Sequence, residues 1–146
     1  MTNVSPPASP TAPFDPAAEG WKPVVSAAFG QLVGPIWQRD EGAGLRFGLI
    51  VAEKHANRAG NLHGGMLMTL ADQAMAFTAR KHTRKAHATM ELHIHFVGVV
   101  RVGEFVEVRT EVVRATRSVV FLEAKMFVGD RLVVAASGIW KIIGEP

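Results

Sequence analysis

The sequence predicts an α+β domain in which a curved antiparallel sheet wraps around one long central helix. Three observations predict it. Along the chain come one strand, one long apolar helix and then four further strands. The last four strands are joined by short links, which favour antiparallel neighbours. The helix is apolar almost all round, so it needs cover on every side, and no second long helix is available to supply it. A chain of 146 residues suits one domain with one core.

Residues 1–20 hold five of the eight prolines and almost no aliphatic bulk, so a disordered or loosely docked arm is expected there, with the domain spanning 21–146. The stretch VVSAAFGQLVGP (24–35) predicts a short helix stopped by Gly34-Pro35. In AGLRFGLIVAE (43–53), Leu45, Phe47, Leu49 and Val51 alternate as in a strand. A helix is predicted from His63 to about Lys81, with Met66, Leu67, Leu70, Ala71, Ala74, Met75 and Phe77 nearly encircling it. Its narrow polar side is Thr69, Asp72 and Gln73.

In TMELHIHFV (89–97), alternation places Met90, Leu92, Ile94 and Phe96 on one face and Glu91, His93 and His95 on the other. Residues 104–114 and 118–128 alternate likewise, linked by RATRS (114–118). Residues 131–143 are apolar on both faces, as in a central strand, and Gly129-Asp130 before them is a two-residue hairpin turn.

Composition narrows the function. The chain has no cysteine, which excludes disulfides, a thiol nucleophile and a cysteine-ligated zinc. The net charge of +3 suits a polyanionic small ligand, whereas no basic stripe interleaved with aromatics points to nucleic acid. No apolar run is long enough for a bilayer, and the N-terminus lacks the basic and apolar regions of an export signal, so a cytoplasmic location is expected. Nucleophile elbow, Walker loop, dinucleotide fingerprint and His-Glu-x-x-His are all missing. His93 and His95 share a strand face, but no third ligand accompanies them and no metal site is expected.

What remains is NRAGNLHGGMLMTLADQ (57–73), a polar glycine-punctuated loop running into the apolar helix. Asp72 lies inside that helix, with no Lys or Arg three or four residues away to pair with it. A carboxylate held among apolar residues is costly, which points to a base or nucleophile kept dry. Gly64 and Gly65 stand at the helix start, where backbone N–H groups lack intrahelical partners and the dipole is positive. Without a Cβ such a backbone can approach a ligand and polarise a carbonyl. Eight residues separate Gly64 from Asp72, about 12 Å of helix, too far for one chain to bring both to one reacting carbon. Two copies with antiparallel helices meet the requirement, which predicts a two-fold homodimer with two shared sites.

The pattern Asn57-x-x-Gly60-x-x-His63-Gly64-Gly65, followed by Thr69-Leu70-x-Asp72, resembles the hotdog-fold acyl-CoA thioesterases of the phenylacetate-degradation type. The likeness extends through TMELHIHF, RVGE (101–104), the hairpin near Arg117 and the closing VAASGIWKI, roughly residues 30–143. The resemblance implies hydrolysis of an acyl-CoA to a free acid and CoA, with no cofactor. It gives Asp72 the role of general base or nucleophile, and Asn57 and His63 the task of organising the thioester end. The Gly64 N–H would polarise the carbonyl from the opposite subunit, with Gly65 beside it. Thr89 matches a hydroxyl that helps position water, although strict alternation turns it away from the helix unless a bulge or the strand start intervenes. Arg117, Arg114, Lys81, Arg84 and Lys85 are candidates for the CoA phosphates. A homotetramer built from two dimers is implied, with Phe121 and Phe127 on the outer sheet face. Two other activities fit the same scaffold: an acyl-thioester dehydratase or hydratase, against which the 57–72 block argues, and a non-catalytic acyl-CoA-binding module.

Overall fold

The computed structural model describes residues 13–42 and 44–144. It contains seven strands: β1 (Lys22–Pro23), β2 (Trp37–Asp40), β3 (Leu45–Ile50), β4 (Ala86–Phe96), β5 (Phe105–Ala115), β6 (Val119–Val128) and β7 (Arg131–Gly144). They form one antiparallel sheet in the order β1-β2-β3-β5-β6-β7-β4, and the sheet does not close. The two helices are α1 (Phe29–Val33) and α2 (Gly64–Thr83), and a single 3-10 turn covers Glu53–His55. Helix α2 packs against β3, β4, β5, β6 and β7, so the central helix expected from its apolar circumference is present.

The core follows from alternation. Val106 and Val108 of β5, Val120, Leu122, Ala124 and Met126 of β6, and Val134, Ala136 and Trp140 of β7 are buried together with Leu70, Ala71, Ala74 and Met75 of α2. Gly138 lets β4 and β7 close, because a Cβ there would lie 2.6 Å from both the Glu91 carbonyl oxygen and the Trp140 ring. His63 caps α2, and Arg84, at φ 58°, ends it in the left-handed conformation.

The structure corrects the sequence reading in four places. The expected helix over 24–35 shrinks to 29–33, because Val24 is drawn into extended pairing with Ile36 (N–H to O, 2.8 Å). Strand β2 was not foreseen, since Gln38, Arg39 and Asp40 give no apolar alternation; the Asp40 carboxylate, accepting from the Gly42 N–H at 2.9 Å, turns the chain back into β3. Helix α2 runs two residues beyond the expected Lys81. The link 97–104 is no hairpin: β4 pairs with β7, three positions away from β5. Its backbone bonds instead to the loop before α2, Leu62 N–H to Val100 O and Gly103 N–H to Val51 O, both at 2.7 Å. Eight extended residues reach about 26 Å, ample for a crossing of about 14 Å, so a short link did not require adjacency.

Residues 13–20 form turns against the sheet. The Phe14 ring lies 4.5 Å from that of Phe105, and the Trp21 N–H bonds to the Pro16 carbonyl at 2.9 Å. The rest of the arm expected over 1–20, residues 1–12, lies outside the described residues. Among the described residues no helix is long and apolar enough to cross a membrane.

Candidate active site

The loop before α2 is held by its own side chains. Asn57 Oδ1 accepts from the Ala59 and Asn61 N–H groups at 2.9 and 3.2 Å, and the Asn57 N–H bonds to the Asn61 carbonyl at 2.7 Å. Gly60 closes this turn at φ 77°, a left-handed conformation that favours glycine. His63 Nδ1 accepts from the Gly65 N–H at 2.8 Å, leaving the proton of the neutral ring on Nε2. A Cβ on Gly65 would meet that imidazole at 3.0 Å, so a glycine keeps the cap in place. With the Gly65 N–H engaged, the Gly64 N–H is the group of the pair that has no partner among the described residues.

Nine residues beyond His63, Asp72 accepts a hydrogen bond from Thr89 Oγ1 at 2.6 Å, a short bond to a carboxylate. Thr89 reaches it because the β4–β7 register slips between Thr89 and Glu91, with Thr89 opposite Trp140 and Glu91 opposite Ile139. The bulge leaves Met90 without a partner and 61% exposed, so Met90 does not share an inner face with Leu92 as alternation suggested. Asp72 itself is half-buried, because its face of α2 opens onto a cleft rather than onto the sheet. The expectation of a fully dry carboxylate does not hold in the single chain.

Two separate clefts border α2. One, of about 400 Å³, is lined by Asp72, Gln73, Phe77, Arg80 and His87 together with Val25 and Ala27. The other, of about 430 Å³, contains His63, Gly65 and Thr69 beside Phe29 and Leu32 of α1. The chain thus unites Asp72 with Thr89, and His63 with Gly64 and Gly65, with Asn57 closing the turn just before them, but leaves the two groups about 12 Å apart along α2. Arg117 is exposed on the β5–β6 turn and lines neither cleft. Lys81 is occupied by Asp40 at 3.2 Å. Among the described residues no group of three metal-ligating side chains exists.

Sequence reasoning missed two histidines. His55 is 4% exposed; its Nδ1 accepts from the Ala52 N–H at 2.9 Å and its Nε2 donates to the Val33 carbonyl at 2.6 Å. Burial holds its pKa below the ordinary 6.5, and the charge of Lys54 acts in the same direction. His87 bonds through Nε2 to Thr83 Oγ1 at 3.0 Å, and burial lowers its pKa too, with the Arg80 cation adding to the effect. Neither stands in a periodic pattern that would have flagged it.

Residues 59–135 match the model of the thioesterase superfamily. PA0474, a candidate esterase of Pseudomonas aeruginosa, is 38% identical over 130 residues, which cover 85% of this chain and 96% of that protein. Among solved structures, the conserved protein PA5202 of P. aeruginosa superposes with a TM-score of 0.74 at 27% identity, covering 81% of this chain and 95% of that one. A hypothetical thioesterase of Streptococcus pneumoniae TIGR4, solved with coenzyme A, has the same fold at 19% identity and a TM-score of 0.71, with 86% and 97% covered. With its open seven-stranded sheet around a single long helix in the hotdog arrangement, the chain belongs to the thioesterase superfamily.

Proposed function

We propose that the protein is an acyl-CoA thioesterase of the phenylacetate-degradation type, hydrolysing an acyl-CoA to free acid and CoA. The observation that carries this reading is the 2.6 Å bond by which Thr89 orients a half-buried carboxylate, Asp72, at the edge of a cleft. Asp72 deprotonates the attacking water or attacks the thioester carbon itself. The free Gly64 N–H at the positive end of α2 takes the negative charge that develops on the carbonyl oxygen. Asn57 and the His63 cap hold the loop that presents it. The relative solved with coenzyme A supports the same substrate class.

The site is completed across a homodimer. Of the two sheet edges, β1 is two residues long and ends in Pro23, which has no N–H to donate. The other edge, β4, is eleven residues long and unpaired on its outer side, with Met90 and Phe96 61% and 51% exposed. Two-fold pairing along β4 covers that edge and sets two α2 helices antiparallel, Gly64 of each chain facing the other's Asp72.

The test is CoA release from a panel of acyl-CoA thioesters by wild type and Asp72→Asn. An amide is nearly isosteric but neither accepts the proton nor attacks comparably. A loss of about 100-fold or more in kcat is therefore expected, with an unchanged melting curve. A variant retaining a tenth of wild-type kcat removes Asp72 from the chemistry. Wild type that binds acyl-CoA without releasing CoA would mark a binding module, and release of water from a hydroxyacyl-CoA would mark a dehydratase.

A further inference from the structure

The cleft that holds Asp72 is electrically lopsided. Asp72 stands at one end and Arg80, two turns further along α2, at the other, with Ala76, Phe77 and Ala27 between them. Residues 72, 76 and 80 follow the i, i+4 spacing, so they border one groove. Helical side chains lean toward the helix N-terminus, which tilts the guanidinium back over the cleft. Arg80 makes no ion pair among the described residues, while its neighbour Lys81 is paired with Asp40. Its charge is felt within the cleft wall, since it helps lower the pKa of His87, which lines the same space.

We propose that this cleft is built for a short acyl group that ends in a carboxylate, and that Arg80 is the residue that recognises it. The inference rests on the assignment of Asp72 to the thioester. With the reacting carbon beside Asp72, a tail running along α2 passes the apolar middle and meets a planar cation suited to bidentate carboxylate binding. Asp72 and Arg80 are about 12 Å apart along the axis, and the long Arg80 side chain, leaning back toward Asp72, shortens the gap to a chain of about five to seven carbons. Like-charge repulsion from Asp72 disfavours the reversed orientation. An apolar acyl group of the same length would fill the middle of the cleft but leave the exposed guanidinium to solvent, without the ion pair.

The experiment compares hydrolysis of adipoyl-CoA and hexanoyl-CoA by wild type, Arg80→Gln and Arg80→Lys, all intact chains with melting curves checked. Wild type should prefer adipoyl-CoA in kcat/KM by about three- to fivefold, the worth of an ion pair on an exposed guanidinium. Arg80→Gln should abolish that preference by lowering kcat/KM for adipoyl-CoA more than for hexanoyl-CoA, and Arg80→Lys should restore part of it. Equal rates with the two substrates in wild type, or a preference that survives Arg80→Gln, overturn the proposal. So does an equal rise in KM for both substrates in Arg80→Gln, which would mean that the cation holds CoA phosphate. A binding readout separates this idea from the thioesterase reading. Hexanoate, whose single carboxylate can pair with Arg80 while its apolar end faces Asp72, should raise the titration midpoint of the His87 ring protons in wild type and not in Arg80→Gln, whether or not any thioester is cleaved; 1-hexanol should not. If no acyl-CoA is hydrolysed and hexanoate still moves His87, the thioesterase reading fails and the anion site stands; if hexanoate leaves His87 unmoved, the anion site fails.

Discussion

At the scale of residues, Thr89 shows how one register slip decides chemistry. Its hydroxyl donates to Asp72 at 2.6 Å only because the β4–β7 pairing slips at Met90. A hydrogen bond to a charged group contributes about 1.5–3 kcal/mol, so Thr89→Val is expected to lower kcat by roughly 10- to 100-fold through misorientation of Asp72. Thr89→Ser, which keeps the hydroxyl, should recover most of the rate. Steady-state kinetics on both variants checks this, and a valine variant as fast as wild type would make the bond incidental. Asp72 and the diglycine were legible in the sequence because a lone acid and two glycines break an otherwise apolar helix. The inward turn of Thr89 was legible only as a condition, since alternation alone cannot place a bulge. His55 was not legible at all: it sits in a polar loop, and its burial depends on α1 arriving from more than twenty residues upstream.

At the scale of elements, α2 and the long strands were readable because each repeats one period over many residues. Strand β2, four residues with three polar ones, had no such pattern, and strand order depended on how a link crosses the sheet rather than on its length. Helix α1 is a different case, having no buried residue of its own. It is tied down from its C-terminal end by His55 Nε2 to the Val33 carbonyl and by Lys54 Nζ to the Gly34 carbonyl at 2.6 Å each. The fold accommodates the neutral His55 ring, so its pKa is depressed below the unfolded value of 6.5. Between the two values the unfolded chain binds more protons than the folded one. Stability is therefore complete above about pH 6.5 and falls as the pH drops through the depressed folded value. His87 contributes in the same sense. Thermal melts from pH 7.5 to 5 should show Tm decreasing toward acid, with a shallower slope in His55→Gln; an unchanged slope would detach His55 from this dependence.

At the scale of the whole molecule, the two polar groups on α2 call for two chains. Asp72→Asn and Gly64→Pro, the latter lacking the N–H, should each be inactive as pure proteins. Mixed and allowed to exchange subunits, they should regain activity, because one of the two sites in each heterodimer then has an intact Asp72 and an intact Gly64. Exchange confirmed by mass without return of CoA release would refute the shared site, provided circular dichroism shows the proline variant folded. On the outer sheet face, Phe127 is already shielded by Arg109, whose guanidinium lies 4.4 Å from the ring centre, and Phe121 stands half-buried beside Glu123. That face is where two dimers would meet in the homotetramer we propose.

The roughly 12 Å of α2 between Gly64 and Asp72 also governs how damage spreads through a mixed population. If each site takes its carboxylate from one chain and its N–H from the other, a defective Asp72 disables one site per copy, not one dimer per copy. A cell making sound and Asp72-defective chains in equal amounts would keep half of its sites, however the subunits assort. The loss would be additive in dosage, whereas a change that bends α2 would displace both ends at once and impair both sites of every dimer it entered.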